Sequence, residues 1–276
     1  MSRNSQGALP SLRDQTVIDF GEQWRRFPTG HNDGFYGSAA HLEDTFGPLL
    51  DVRELSSSRV AEIGSGPGRF VNMLLDAGVA HVTALEPSRG VSALKENTRT
   101  RADRIAYVRA LGEDLPLGQY DFVFSVGVLM MIPNPRPVVE RALEALKPGG
   151  QMLVWIYARE GNEGYLRVAE PLRRLTTRLP DSVVAALSHG LNVPLSLYVG
   201  LCRTLPLPRH RHLRNVMARM SWRQRSLVIF DQLNPSYAKY YRRSEAEALL
   251  RDAGFADVRS HHRHGYSWAV RGVKPS

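Results

Sequence analysis

A single cysteine, Cys202, is present in 276 residues. One thiol can build neither a disulfide framework nor a cysteine metal site, and no metal is expected. From Met1 to Asp14 there is no apolar core of signal-peptide length, and Arg3, Arg13 and Asp14 already interrupt the stretch. Export by that route is therefore not expected, and the cytoplasm is the expected location. The first dozen residues, rich in Ser, Asn, Gln and Gly, read as loose. Internal repeats are lacking. Acids are outnumbered: 27 Asp and Glu stand against 36 Lys and Arg, a net charge of +9. Between Arg159 and Arg225 twelve arginines meet only four acids, so nearly all of the excess sits in one segment. Such a segment suits phosphate, carboxylate or an anionic membrane surface. It lacks an RNA-binding module and interleaved aromatics, which disfavours nucleic acid. Long hydrophobic runs are also missing, with one approach to an exception at VVAALSHGLNVPLSLYVGLC (183–202). His189, Asn192 and Pro194 interrupt that run, and the expectation is two cap helices rather than a membrane span.

What is present is the composition of a globular chain, 43% hydrophobic and 23% charged. Short apolar runs alternate with helical patterns from Arg59 to Tyr157, the signature of a parallel sheet covered by helices. The strands read as 59–63, 81–86, 104–109, 120–126 and 151–157. Helices read as 70–77, 91–98 and 137–146, and KPGG (147–150) closes the last of them. From Gly161 to Arg243 longer amphipathic stretches broken by prolines predict a helical insertion. A helix follows at 244–255, with Ser244 and Glu247 at capping-box spacing and Gly254 as its stop. Two strands come last, near 256–262 and 266–272. The organisation is an N-terminal segment (1–55) closing over a ligand, a core (56–158), an Arg-rich helical cap (159–243) and a C-terminal helix with two strands completing the core (244–276).

The run VAEIGSGPGRF (60–70) delivers a buried strand into a glycine turn and then a helix. Gly64, Gly66 and Gly68 let the backbone approach a ligand, and the helix start supplies free N–H groups. The glycines fall as G-x-G-x-G, one position short of the dinucleotide pattern at the third. Glu62, just before them, would repel a pyrophosphate and suits a ligand with a cationic amino-acid end. The second strand ends in Glu86, eighteen residues beyond Gly68, where a carboxylate can accept hydrogen bonds from both ribose hydroxyls.

Taken in order, VAEIGSGPGRF, ALEPS, ALGEDLPL (110–117), YDFVFSVGVLMMIPNP (120–135) and ALKPGGQMLVWIY (145–157) resemble the class I S-adenosylmethionine (SAM) dependent methyltransferases of the small-molecule type. The resemblance covers 59–158 closely and 244–276 more loosely. It implies an α/β fold, a doubly wound seven-stranded Rossmann-like sheet, here with a helical cap insertion. It also implies SAM as cofactor and S-adenosylhomocysteine as product. Glu62, Gly64 and Gly66 would surround the methionine part, Glu86 the ribose, Glu113, Asp114 and Leu115 the adenine, and Ser125 and Val126 the sulfonium. Ser65, Gly68 and Pro87 complete the contact set. The family pattern carries His-His where this chain has Met130–Met131, so no base is expected in that loop. The Asn/Asp-Pro-Pro-aromatic run of nucleobase amino methyltransferases is replaced by SVGV, which favours oxygen or carbon as acceptor.

A hydroxyl acceptor needs its proton removed by a nearby His or carboxylate. His264 ranks first and Asp231 second, with His262 also near, because the tip between the last two strands should rise at the ligand edge. Trp24, Phe35 and Tyr36 would help to seal the site. The expected function is O-methylation of a small polar or a glycan- or lipid-linked acceptor, with a phosphorylated or lipid-linked small molecule as the expected partner and peripheral contact to an anionic membrane at its inner face. The alternatives are C-methylation of a quinone-like or lipid precursor, a nucleic-acid-binding protein and a non-catalytic SAM-binding protein.

Overall fold

A computed structural model describes residues 11–29 and 33–276. Most of the stretch read as loose lies outside the described residues. In chain order the helices are α1 (Leu12–Arg26), α2 (Ala39–Phe46), α3 (Arg69–Asp76), α4 (Val91–Asn97), α5 (Arg136–Ala145), α6 (Glu163–Thr176), α7 (Asp181–Leu201), α8 (His210–Asn215), α9 (Trp222–Leu233) and α10 (Arg243–Arg251). The strands are β1 (Arg59–Ile63), β2 (His81–Leu85), β3 (Ile105–Val108), β4 (Tyr120–Val126), β5 (Leu146–Tyr157), β6 (Ala256–Arg263) and β7 (Ser267–Val273).

These strands form one sheet in the order β3-β2-β1-β4-β5-β7-β6. All neighbours are parallel except those of β7, which runs antiparallel to both β5 and β6. The sheet follows from its sequence alternation. Val60, Val82, Phe122 and Phe124 face α2, α3 and α4, whereas Ala61, Ile63, Val123 and Val154 face α5 and α10. Covered on both faces, the central strands must be apolar almost throughout, which is how they read. Because β1 lies between β2 and β4, the chain reverses direction of winding there, and a crevice opens beyond the carboxyl ends of these strands.

Most element ends shift by a residue or so from the reading, the last helix stops at Arg251 rather than 255, and three features differ in kind. Lys147–Gly150 belongs to β5 rather than to a closing turn: pairing jumps from Tyr120↔Leu146 to Phe122↔Gln151, and the extra residues are held by Lys274 N–H to Gly150 O and Gly149 N–H to Lys274 O. Ser244 is not the cap of α10. The helix begins one residue earlier, and the Glu245 carboxylate accepts the backbone N–H of Arg242, while Glu247 binds Arg243, Arg251 and Ser260. The run 183–202 is one helix, α7, with Pro194 inside it. Proline removes one i→i−4 bond, but Gly190 and Pro194 lie on the exposed face, where water can serve the freed carbonyl.

Helices α6 to α9 form the cap, with α6 and α7 both packed on α9. The cap leaves the core after Tyr157 and returns at Tyr241, and the two ends are bridged side by side: Tyr241 N–H donates to Tyr157 O and Arg159 N–H to Tyr241 O.

Candidate active site

A cavity of about 500 Å³ lies between the carboxyl edge of the sheet, α1 and the cap. On the sheet side it is lined by Glu62, Gly64, Ser65 and Gly66 after β1, Glu86 and Pro87 after β2, Ala110 to Glu113 after β3, and Val126 after β4. The turn after β1 is built for close approach. Gly64 has φ +77°, and a Cβ there would meet Val128 Cγ2 at 2.4 Å; Gly68 has φ +86°, and a Cβ would meet Leu94 at 2.8 Å. Side chains are therefore excluded from the turn. Gly68 shapes the turn from behind without lining the cavity.

Two acids face this end. Glu62 is buried, and one of its carboxylate oxygens, Oε2, has no partner. Burial pushes its carboxyl up to about 8. An orphan acidic oxygen beside a glycine turn matches the ammonium of an amino-acid end. Glu86 accepts from Gly66 N–H at 2.8 Å and Ser88 N–H at 3.0 Å, which locks its carboxylate at the cavity wall; burial raises its pKa against those hydrogen bonds. The residues present fit SAM: an acid for the ammonium, bare backbone at the turn and a fixed carboxylate for the ribose.

Other expected contacts are displaced. Asp114 is exposed, and Leu115 is buried in the core with its carbonyl bound to Arg141, so the third segment reaches the cavity through Ala110 to Glu113 instead. Glu113 lines the cavity and pairs with Arg13 of α1 at 2.9 Å. Ser125 is fully buried with an unpartnered Oγ, and its neighbour Val126 does the lining. Trp24 and Tyr36 line the cavity, and Trp24 lies 3.2 Å from where a Gly66 Cβ would be. Phe35 packs instead with the cap, its ring 3.7 Å from the Arg219 guanidinium carbon.

Of the candidate bases, only Asp231 lines the cavity. Burial pushes its carboxyl up to about 7, opposed by a hydrogen bond from Gln23 Nε2 and by the charge of Arg69. His264 does not line it. The tip of the β6–β7 hairpin turns back on the N-terminal segment, where His264 Nε2 contacts Asp44 Oδ1 at 2.7 Å and Nδ1 contacts Asn215 at 3.3 Å. His262 stacks on Trp268 with ring centroids 4.2 Å apart, also away from the cavity. The ranking of His264 over Asp231 is thus reversed. Tyr266 of the same hairpin does reach the cavity, held by Arg263 Nη1 at 2.8 Å.

The cap side carries residues that the sequence did not single out. Tyr157, Tyr165 and Tyr240 share a network with Gln232, which donates to Tyr157 Oη at 2.6 Å and accepts from Tyr240 at 2.8 Å and Tyr165 at 3.1 Å. Arg209 lies over the Tyr165 ring at 4.7 Å, and its Nε is buried without a partner. Beyond them the wall is apolar, with Leu172, Leu195, Leu213, Met217, Met220 and Leu227.

A Rossmann-like sheet in this strand order, with a glycine turn after the first strand and an acid just after the second at one crevice, is the arrangement that the resemblance to class I SAM-dependent methyltransferases implies. Comparison with known proteins agrees. The methyltransferase domain family matches residues 61–154. An uncharacterized methyltransferase of Mycobacteroides abscessus is 30% identical over 151 residues, covering 50% of this chain and 58% of that one. Demethylmenaquinone methyltransferase of Clavibacter sepedonicus is 27% identical over 130 residues, covering 44% and 52%. A SAM-dependent methyltransferase from Thermotoga maritima superposes with a TM-score of 0.52 at 19% identity, covering 94% of this chain and 99% of that one. The chain is similar to this family over residues 61–154, and its match spans under three fifths of the two curated relatives.

Proposed function

We propose that the protein transfers a methyl group from SAM to an oxygen of an acceptor that joins a polar or anionic head to an apolar body, with Asp231 as general base. The observation that carries this reading is that one cavity holds Glu62 and Glu86 at one end and, toward the cap, a buried carboxyl beside an apolar wall. When bound, SAM supplies an electrophilic methyl carbon on a cationic sulfur and leaves as the neutral thioether S-adenosylhomocysteine. The chain's own part is to orient and to exclude water, because an in-line displacement gains most from alignment. As the acceptor oxygen gains its bond to carbon, its proton passes to the Asp231 carboxylate. A carboxyl titrating near 7 is matched to that task at neutral pH. The buried, unpartnered Arg209 Nε supplies a donor for a phosphate or carboxylate on the acceptor's head.

A second reading, C-methylation of a quinone-like ring, is favoured by the apolar wall and by the name of the Clavibacter relative. One experiment addresses both. The protein is incubated with methyl-labelled SAM and with separate lipid and aqueous extracts, and labelled products are located by mass spectrometry. Label on oxygen of an amphiphile supports the first reading and label on ring carbon the second. Label only in fully water-soluble products, in protein or in nucleic acid rejects both.

A further inference from the structure

Helix α7 is apolar on both sides. Its face toward the protein buries Val184, Ala185 and Val199 with Ser188 and Asn192 among them, whereas its outer face carries Val183, Leu187, Leu191, Val193, Leu197 and Leu201. Leu197 is 70% exposed, Val193 53% and Leu201 51%. Among the described residues it is the one helix long and apolar enough to cross a membrane, yet the inner face ties it to the protein. Asn192 Nδ2 donates to Trp222 O and Ser226 Oγ of α9, both at 2.9 Å, and its Oδ1 accepts from Arg225. Pulling the helix out would break these bonds, so it cannot span while the cap stays folded. Instead it presents a continuous apolar stripe on a surface, and a stripe of that size marks an interaction site.

The charges around the stripe select the partner. No Asp, Glu, Lys or Arg occurs from 182 to 202, and exposed arginines border both ends: Arg174 and Arg178 before it, and Arg203, Arg211 and Arg214 after it. Arg211 and Arg214 belong to α8, which packs on α7. None of the five has a carboxylate partner among the described residues, where ion pairs elsewhere are common. In a contact between two copies these arginines would meet one another without acids to offset them. An anionic bilayer supplies both what the stripe lacks and what the arginines lack. The stripe also meets the active-site cavity: Leu191 and Val168 of α6 are exposed outside and line the cavity inside.

We infer that α7 docks the protein flat on a membrane containing anionic lipid and that the acceptor enters the cavity from that membrane between α6 and α7. The docking stands on the cap alone, while the entry route rests on the methyl-transfer reading above. Apolar burial of a helix face combined with basic side chains at the headgroups is the physics of interfacial helices. Each exposed arginine acts within about a Debye length, ~8 Å at physiological salt, so the attachment is reversible and salt-sensitive.

The test is vesicle flotation of the full chain with phosphatidylcholine alone and with phosphatidylcholine–phosphatidylglycerol, alongside calorimetric SAM binding. We expect binding at least about tenfold tighter on the anionic vesicles, and weakened about tenfold or more between ~0.1 and ~0.5 M NaCl. Leu197→Glu should weaken vesicle binding by about tenfold or more while SAM affinity is unchanged, since Leu197 touches neither cofactor nor cavity. Leu197→Cys, labelled with an environment-sensitive fluorophore, should shift to the blue on anionic vesicles only. Absence of wild-type flotation, flotation unaffected by Leu197→Glu, or wild-type self-association that Leu197→Glu abolishes without vesicle binding overturns the inference. Failure of SAM to bind rejects the methyl-transfer reading and leaves the vesicle result to stand by itself.

Discussion

Asp44 of α2 accepts hydrogen bonds from Arg263 Nε at 3.0 Å and from Arg263 Nη2, pairing residues that lie 219 positions apart. Arg263 is 2% exposed, so Asp44 is what lets a guanidinium sit in the interior at the hairpin tip. Replacing Asp44 by Asn leaves that charge without its partner. We expect a loss of roughly 3 kcal/mol of unfolding free energy, the low end for breaking a buried pair because Asp44 is partly exposed. Chemical denaturation measures it, and a change under about 1 kcal/mol would mean that the pair is not a structural tie.

The same pair gives a pH prediction. Burial pushes Asp44 up, but hydrogen bonds and charge from His264 and Arg263 outweigh it and hold the carboxyl well below its ordinary range. An acid whose folded pKa is depressed contributes stability that is present above its unfolded pKa, about 3.9, and is lost as pH falls through the folded value. The thermal midpoint of the wild type should therefore drop steeply below about pH 4, and Asp44→Asn should flatten part of that limb.

His264→Ala should keep turnover within a few-fold of wild type, because His264 is bound to Asp44 and Asn215 outside the cavity. Asp231→Asn should keep SAM binding and lower turnover by about 10²-fold or more, the scale of a lost general base. Wild-type turnover should rise with pH through about 7, where the carboxyl loses its proton, and the variant should lose this rise. A rate profile that keeps its midpoint in Asp231→Asn removes the residue from the chemistry.

Glu86→Ala should weaken SAM and S-adenosylhomocysteine by roughly 1.5–3 kcal/mol, the cost of losing hydrogen bonds to a charged group. Unchanged affinity by calorimetry would take Glu86 out of the site.

Glu62 titrates near 8 in the free protein because it is buried. Pairing with an ammonium favours the carboxylate, so binding SAM near pH 7 should release a proton from Glu62. Titrations in buffers of different ionisation enthalpy read this directly, and Glu62→Gln should abolish it. Equal heats across buffers for the wild type would show that Glu62 does not meet the ammonium.

The sheet-side lining of the cavity was legible because its signals are local. Glu62, Gly64 and Gly66 sit within five residues of one another, and Glu86 marks the end of an apolar run whose face and direction its neighbours set. The cap-side lining was not, because its parts meet only through tertiary packing. Nothing near His264 in the chain announces Asp44, and nothing near Asp231 announces Gln23, 208 positions away. Pro194 misled for a related reason: a proline breaks a helix in isolation, whereas here the packed inner face of α7 keeps the helix whole. Lys147–Gly150 reads as a turn by composition, and only the partner strand β7 and the chain beyond it reveal that it extends β5.

The paired backbone at Tyr157 and Tyr241 means that more than eighty residues of cap are spliced into the core at one seam. Such a seam separates two kinds of selection. Under the proposed function, substitutions in the cassette between its ends would alter the cap side of the cavity while the glycine turn after β1 and Glu86 after β2 stay untouched. The family match at 61–154 lies wholly outside the cassette and so carries no information about it. Grafting another cap between Ala158 and Tyr241, with the bridge retained, is the natural route to a new specificity on this scaffold.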